Sequence, residues 1–193
     1  MWLAQAASGL GHTFAAFIIS WLVYELTGSK VAMGSIWLCY MLPSLIVQLW
    51  AGPFLDRWQR RKVMIFAEWQ RALVYLLPSI LYTQGRLEVW HLYLVAVLAG
   101  TAEPLFRSSS MAYIPEILPP NQLIRGNSVL EGTAQVFMLS GPALGGLMVA
   151  NLGAISVLLG LVAVLGLAGL LLCLVPAAPL KTPPPSGEVV EPV

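Results

Sequence analysis

Charge is what this chain has least of. Lys, Arg, Asp and Glu make up only 10% of its 193 residues, whereas 58% are hydrophobic. A soluble domain carries about 25% charged residues, so a water-facing surface all round is excluded. The mean hydropathy of +0.79 points instead to an outer surface in hydrocarbon. Net charge is +1 and no block of like charge resembles a nucleic-acid arm, so no nucleic-acid partner is expected. Cysteine is equally scarce. Cys39 and Cys173 both sit in apolar runs, where a thiol packs as a small hydrophobe, and they form no redox or zinc spacing. No metal and no cofactor is expected. The N-terminus lacks the positive segment and small-residue cleavage site of a signal peptide, so the first apolar run reads as a retained span. Trp2 is apolar at once, as though a short polar leader were missing.

What the chain has in abundance is apolar length. A bilayer core of about 30 Å takes about 20 apolar helical residues, and six runs meet that length: Trp2 to Leu26, Val31 to Leu55, Val63 to Tyr82, Trp90 to Tyr113, Ser128 to Ala150 and Leu152 to Val175. Unpaired backbone groups find no water in hydrocarbon, and the runs lack barrel-like alternation, so all six are expected to be helical. The expected class is an all-α membrane protein with six transmembrane helices over residues 1–176. Pro43, Pro78, Pro104 and Pro142 mark bends within them. Residues 177–193 are rich in Pro and poor in apolar bulk, which predicts a disordered cytoplasmic tail or linker.

Orientation follows the basic residues. Arg57, Arg60, Arg61 and Lys62 lie between spans two and three and Arg125 between spans four and five, against only Lys30 and Arg86 on the other side. The heavier side is expected to face the cytoplasm, with both termini. Trp50, Tyr82, Trp90 and Tyr113 stand near span ends, suiting interfacial anchoring or ordinary packing, and His91 reads as an interfacial polar residue.

The stretch GPFLDRWQRRK, residues 52–62, places five charges between two apolar spans. Gly52 suits a close backbone approach and Asp56 suits the open N–H groups of the next helix. Gly52, Asp56, Arg57, Arg60 and Arg61 resemble, in register, the loop motif between spans two and three of the major facilitator superfamily. Gln59 stands where that motif usually has Gly, and a positive φ there would strain it. In span five, LSGPALGG is similar to the motif of the superfamily's exporters through Gly141, Pro142, Gly145 and Gly146, with Phe137 where many exporters have an earlier Gly. FRSSSMAYIPEILPPNQLIRGNS, residues 106–128, resembles the link between spans four and five in its drug and macrolide exporters. The resemblance implies one half of a major-facilitator-type bundle, built as 3+3 inverted repeats. It also implies a second six-helix half, in a missing C-terminal part or another chain, with the lipid bilayer around both and a small amphipathic substrate exported by proton-coupled alternating access.

Ionisable groups at membrane depth cost about 2.5 to 3.5 kcal/mol on insertion scales and are suspects for function. Glu103, about 20 Å into span four, and His12, about 15 Å into span one, fall nearest the midplane. Glu103 and Arg107 are four residues apart on one helical face, as a structural ion pair or as a site that exchanges the coupling proton. His12 is a packing histidine or a titrating cavity residue. Glu68, Arg71 and Glu131 fall in the cytoplasmic third and are expected to join Asp56 in a charge network latching the closed state. Gln5, Ser8, His12 and Ser20, with Ala16 between, form a stripe too polar for lipid that should line a cavity or a helix contact, where Gly9 and Gly11 would also allow close packing. Two other classes stay open, a non-transporting scaffold or remnant and an intramembrane hydrolase. The hydrolase would need a nucleophile with a base partner that the sequence does not display.

Overall fold

The computed structural model describes residues 2–55 and 58–174. The expected tail, Asp56 and Arg57 lie outside the described residues. Among the described residues six helices follow one another: α1 (Trp2–Thr27), α2 (Lys30–Leu55), α3 (Arg60–Thr83), α4 (Val89–Ile117), α5 (Leu123–Leu152) and α6 (Ala154–Leu174), with a 3-10 turn (Pro120–Gln122) before α5. Each of the six apolar runs holds a helix, though Leu152, the expected start of the sixth, closes α5, and Val175 lies outside the described residues. α4 runs to Ile117 and α5 starts at Leu123, so both reach further into the connecting segment than the apolar runs do. Five of the helices are long and apolar enough to cross a membrane, and α3 is not among them. Its opening Arg60, Arg61 and Lys62 and its internal Glu68 and Arg71 dilute it.

The turns α1–α2, α3–α4 and α5–α6 all lie at one end of the bundle, and each contains a glycine at positive φ: Gly28 at 64°, Gly85 at 65° and Gly153 at 79°. At Gly28 and Gly153 that conformation lets the amide donate back to the helix just ended, to the carbonyls of Tyr24 (2.7 Å) and Val149 (2.9 Å). A side chain there would be strained. Gln59, by contrast, has φ −66°, so Gln fits where the resembling motif has Gly. Gln59 is also the N-cap of α3 and makes no side-chain capping bond. At the start of α4, Glu88 and His91 form a reciprocal capping box, the Glu88 amide donating to His91 Nδ1 at 3.1 Å. His91 therefore closes a helix end and is more than a polar residue at an interface.

α1 and α4 hold the centre. α1 packs against α2, α4, α5 and α6, α4 against α1, α2, α3 and α5, and α3 closes on α6. The main core joins Ile18, Leu22 and Val23 of α1 to Leu92 and Val95 of α4 and to Leu158, Leu161 and Leu165 of α6. Within the spans, 50% of α1, 44% of α4 and 39% of α6 is buried, but only 6% of α2 and 11% of α5.

α1 and α5 run parallel and mesh in a repeating register. Added Cβ atoms on Gly9, Gly141 and Gly145 would meet Phe137 at 3.6 Å, Thr13 at 2.7 Å and Phe17 at 2.7 Å. Every fourth residue thus sets a small group on one helix against a larger one on the other, and Phe137 fills the space left by Gly9. Pro142 is on the exposed side. α2 and α4 approach still more closely at Gly100, where a Cβ would collide with the Tyr40 carbonyl oxygen.

Candidate functional site

The site grows from α3. Glu68 and Arg71 are three apart, so one turn of helix sets both on the face toward α1 and α4. Their side chains are 0% and 3% exposed. Arg71 forms an ion pair with Glu68 and donates from Nη2 to Ser8 Oγ of α1 at 2.6 Å, while the Ser8 hydroxyl donates to Glu68 Oε1. From Nη1 the guanidinium reaches across to α4 and donates to Glu103 Oε2 at 2.9 Å. Phe106, one turn beyond Glu103, lies with its ring centroid 5.1 Å from the guanidinium carbon, a cation–π contact. His12 Nδ1 stands 3.4 Å from the same Glu103 oxygen, and the Tyr40 hydroxyl of α2 is 3.5 Å from that nitrogen. Four helices therefore contribute to one chain of polar groups, from Ser8 and Glu68 through Arg71 and Glu103 to His12 and Tyr40.

The outer end of this chain opens into a cavity of about 30 Å3, room for one or two waters. His12, Ala16 and Ser20 of α1, Trp37 and Tyr40 of α2, and Tyr75 of α3 are among its walls. Aromatic rings and the polar groups of His12, Ser20 and Tyr40 share its walls. The Ser20 hydroxyl donates to the Ala16 carbonyl at 2.8 Å, leaving its oxygen lone pairs at the wall.

Two expectations change. Glu103 takes Arg71 and His12 as partners instead of Arg107, which is exposed and has no ion pair with it among the described residues. An antiparallel α3 brings the guanidinium alongside, and that contact is set by helix packing rather than by spacing along one helix. Glu68 and Arg71 consequently belong to the buried cluster. Glu131 is exposed on α5, where its Oε1 accepts from Gln135 at 2.9 Å, remote from that cluster. The α1 stripe splits by role. His12 and Ser20 line the cavity, Ser8 bonds to Glu68 and Arg71, and Gln5 donates to Ser110 of α4.

The basic segment contacts helix ends. Arg60 donates to the Ala112 carbonyl of α4, and Arg61 donates to the Leu172 carbonyl at 3.1 Å and the Cys173 carbonyl at 2.6 Å, closing the last turn of α6. A cation is favoured there, where unpaired carbonyls give a helix its negative end. Gly52 lies in the last turn of α2. Tyr40, Tyr75 and Phe106 carry the geometry of the site without having been singled out from the sequence. Their only signal was that Tyr40 and Tyr75 put hydroxyls deep in apolar runs, where such groups seek a partner.

The sequence profile described as Major Facilitator Superfamily matches residues 1–193. Among curated proteins, the chain is 31% identical over 157 residues to the multidrug efflux pump Tap of Mycolicibacterium fortuitum, covering 78% of this chain and 38% of that protein. Tap of Mycobacterium tuberculosis (strain ATCC 25618 / H37Rv) is also 31% identical over 157 residues, 79% of this chain and 37% of that protein. The uncharacterized MFS-type transporter YfiS of Bacillus subtilis (strain 168) is 26% identical over 153 residues, 76% and 34%. The chain spans just over a third of the length of the curated relatives it matches.

Proposed function

Because the chain belongs to the major facilitator superfamily, a family of multi-pass membrane transporters, we propose that it forms one bundle of a proton-coupled exporter of small amphipathic molecules. The bundle works opposite a second six-helix bundle, and alternating access exposes the midplane site first to one side of the membrane and then to the other. Three features support the parts of this reading. Exchanging α1, α2 and α3 for α4, α5 and α6 turns the pairing of α1 with α5 into that of α4 with α2, and of α1 with α6 into α4 with α3, pairings that all occur. That is the symmetry expected of two inverted three-helix repeats. The slight burial of α2 and α5 leaves them as the faces for the second bundle. The basic segment and the three short turns lie at opposite ends, as they do if Arg60, Arg61 and both termini are cytoplasmic.

The observation that carries the proposal is the guanidinium of Arg71 held between Glu68 and Glu103, beside a cavity lined by His12. Buried ion pairs add little net stability over apolar packing, so their placement at a cavity between four helices is better explained by charge that changes during a cycle. Export is drawn from the relatives named multidrug efflux pumps, and the amphipathic character of the cargo from the span-five resemblance. The test is flux in everted vesicles containing the whole assembly. A lipophilic dye accumulates when a proton gradient is imposed and leaks back when an ionophore collapses it. Dye movement indifferent to the gradient would refute the coupling, and no dye movement at all would refute the substrate class.

A further inference from the structure

Building on that reading, we propose that the buried cluster holds one resident proton, on Oε2 of Glu68, so that Glu68, Arg71 and Glu103 form a one-proton site with two carboxyl groups sharing a single guanidinium. Charge balance is the first argument. With both acids ionised the trio carries one net negative charge, in a place where the Glu68 side chain is 0% exposed and that of Arg71 is 3% exposed. An uncompensated charge in such surroundings is neutralised by taking up a proton.

Geometry then selects the oxygen. Glu68 Oε1 receives both available donors, the Ser8 hydroxyl and the Arg71 guanidinium. Oε2 is fully buried and no protein donor among the described residues reaches it. A charged carboxylate oxygen without a donor is the costliest group to bury there, and a neutral carboxyl, whose O–H still lacks an acceptor, costs less. Glu103 is the opposite case. It is 24% exposed, and its Oε2 has both Arg71 Nη1 and His12 Nδ1 within ion-pair range.

The charged and titratable groups around Glu68 do not supply another compensating charge next to it. On α1 there is Ser8, with His12 beyond Glu103 and 34% exposed toward the cavity. On α2 and α3 stand the phenols Tyr40 and Tyr75, and on α4 the exposed Arg107 acts with its charge on Glu103 and not on Glu68. The part of α6 that packs on α3, Ala154 to Leu172, has no ionisable side chain. In the cycle the Glu68 O–H bond breaks, the proton passes to water admitted when the bundle opens, and the carboxylate left behind strengthens the contact Glu68 already makes with Arg71. Glu103 is then released to His12. The site thus stores a proton and moves a cation between two acids in the same step.

Infrared difference spectroscopy of the 193-residue chain in lipid vesicles tests this without any transport. At neutral pH the wild type should show a carboxylic-acid C=O band, separate from the carboxylate bands and shifted by deuterium exchange. Glu68→Asp should move the band, because it keeps the charge and changes the reporting group, whereas Glu103→Asp should leave it in place. Glu68→Gln should abolish it. A wild-type spectrum without the band overturns the proposal, whatever the variants do, and so does a band that responds to Glu103→Asp and not to Glu68→Asp. Because the readout is a protonation state, a positive band with failed dye transport would fault the exporter reading alone.

Discussion

At the scale of single residues, partner identity decides what a charge does. Arg71 and Arg107 are both arginines at membrane depth, yet one is buried against two carboxylates and the other is exposed. Removing one partner of a buried ionic group costs about 3–5 kcal/mol, chiefly because the other is left buried and uncompensated. Arg71→Met should therefore lower the thermal midpoint of the purified protein sharply, while Arg107→Met should leave it nearly unchanged, as read by intrinsic tryptophan fluorescence on heating. Equal midpoints for the two variants would contradict the cluster. Glu103→Gln should preserve the fold, since Arg71 retains Glu68, but uncouple dye movement from the proton gradient in vesicles. Coupled transport at the wild-type rate in that variant would remove Glu103 from the mechanism.

At the scale of helices, glycine positions separate contact from tolerance. Gly100 faces the Tyr40 carbonyl and Gly160 faces open space. Gly100→Ala should destabilise by about 1–3 kcal/mol through forced separation of α2 and α4. Gly160→Ala should be neutral or stabilising by about 0.5–1 kcal/mol, because glycine is the poorer helix residue. Thermal melts in one detergent distinguish them. The helices themselves were legible in the sequence, because apolar length in a bilayer leaves the backbone few alternatives. Their ends were less so. The start of α5 at Leu123 and the extension of α4 to Ile117 lie in polar segments where hydropathy stops reporting and local hydrogen bonding takes over. The capping role of His91 follows from the Glu-x-x-His spacing at the start of α4. In the site, His12, Glu68, Arg71 and Glu103 were found one by one because charge at membrane depth is conspicuous. Their assembly was not legible, since spacing reports neighbours on one helix and says nothing of the register of α3 against α4. That is why Arg107 was expected where Arg71 stands.

At the scale of the molecule, two of six helices are scarcely covered. Leu139 on α5 is 82% exposed and Leu159 on α6 is 51% exposed. If α5 meets a second bundle and α6 meets lipid, a carbene photolabel carried on the lipid tails should spare Leu139 in the whole assembly and modify Leu159. Equal labelling would place both in lipid. The pairing of α1 with α5 constrains any motion of such an assembly. Gly9, Thr13 and Phe17 engage Phe137, Gly141 and Gly145 as the teeth of a rack engage a second rack. A slip of one or two residues would drive Phe17 and Phe137 into backbone, so these two helices travel together as one beam. In the proposed cycle, rearrangement would fall to the remaining joints, and the beam would carry a tilt at one membrane face to the other without sliding.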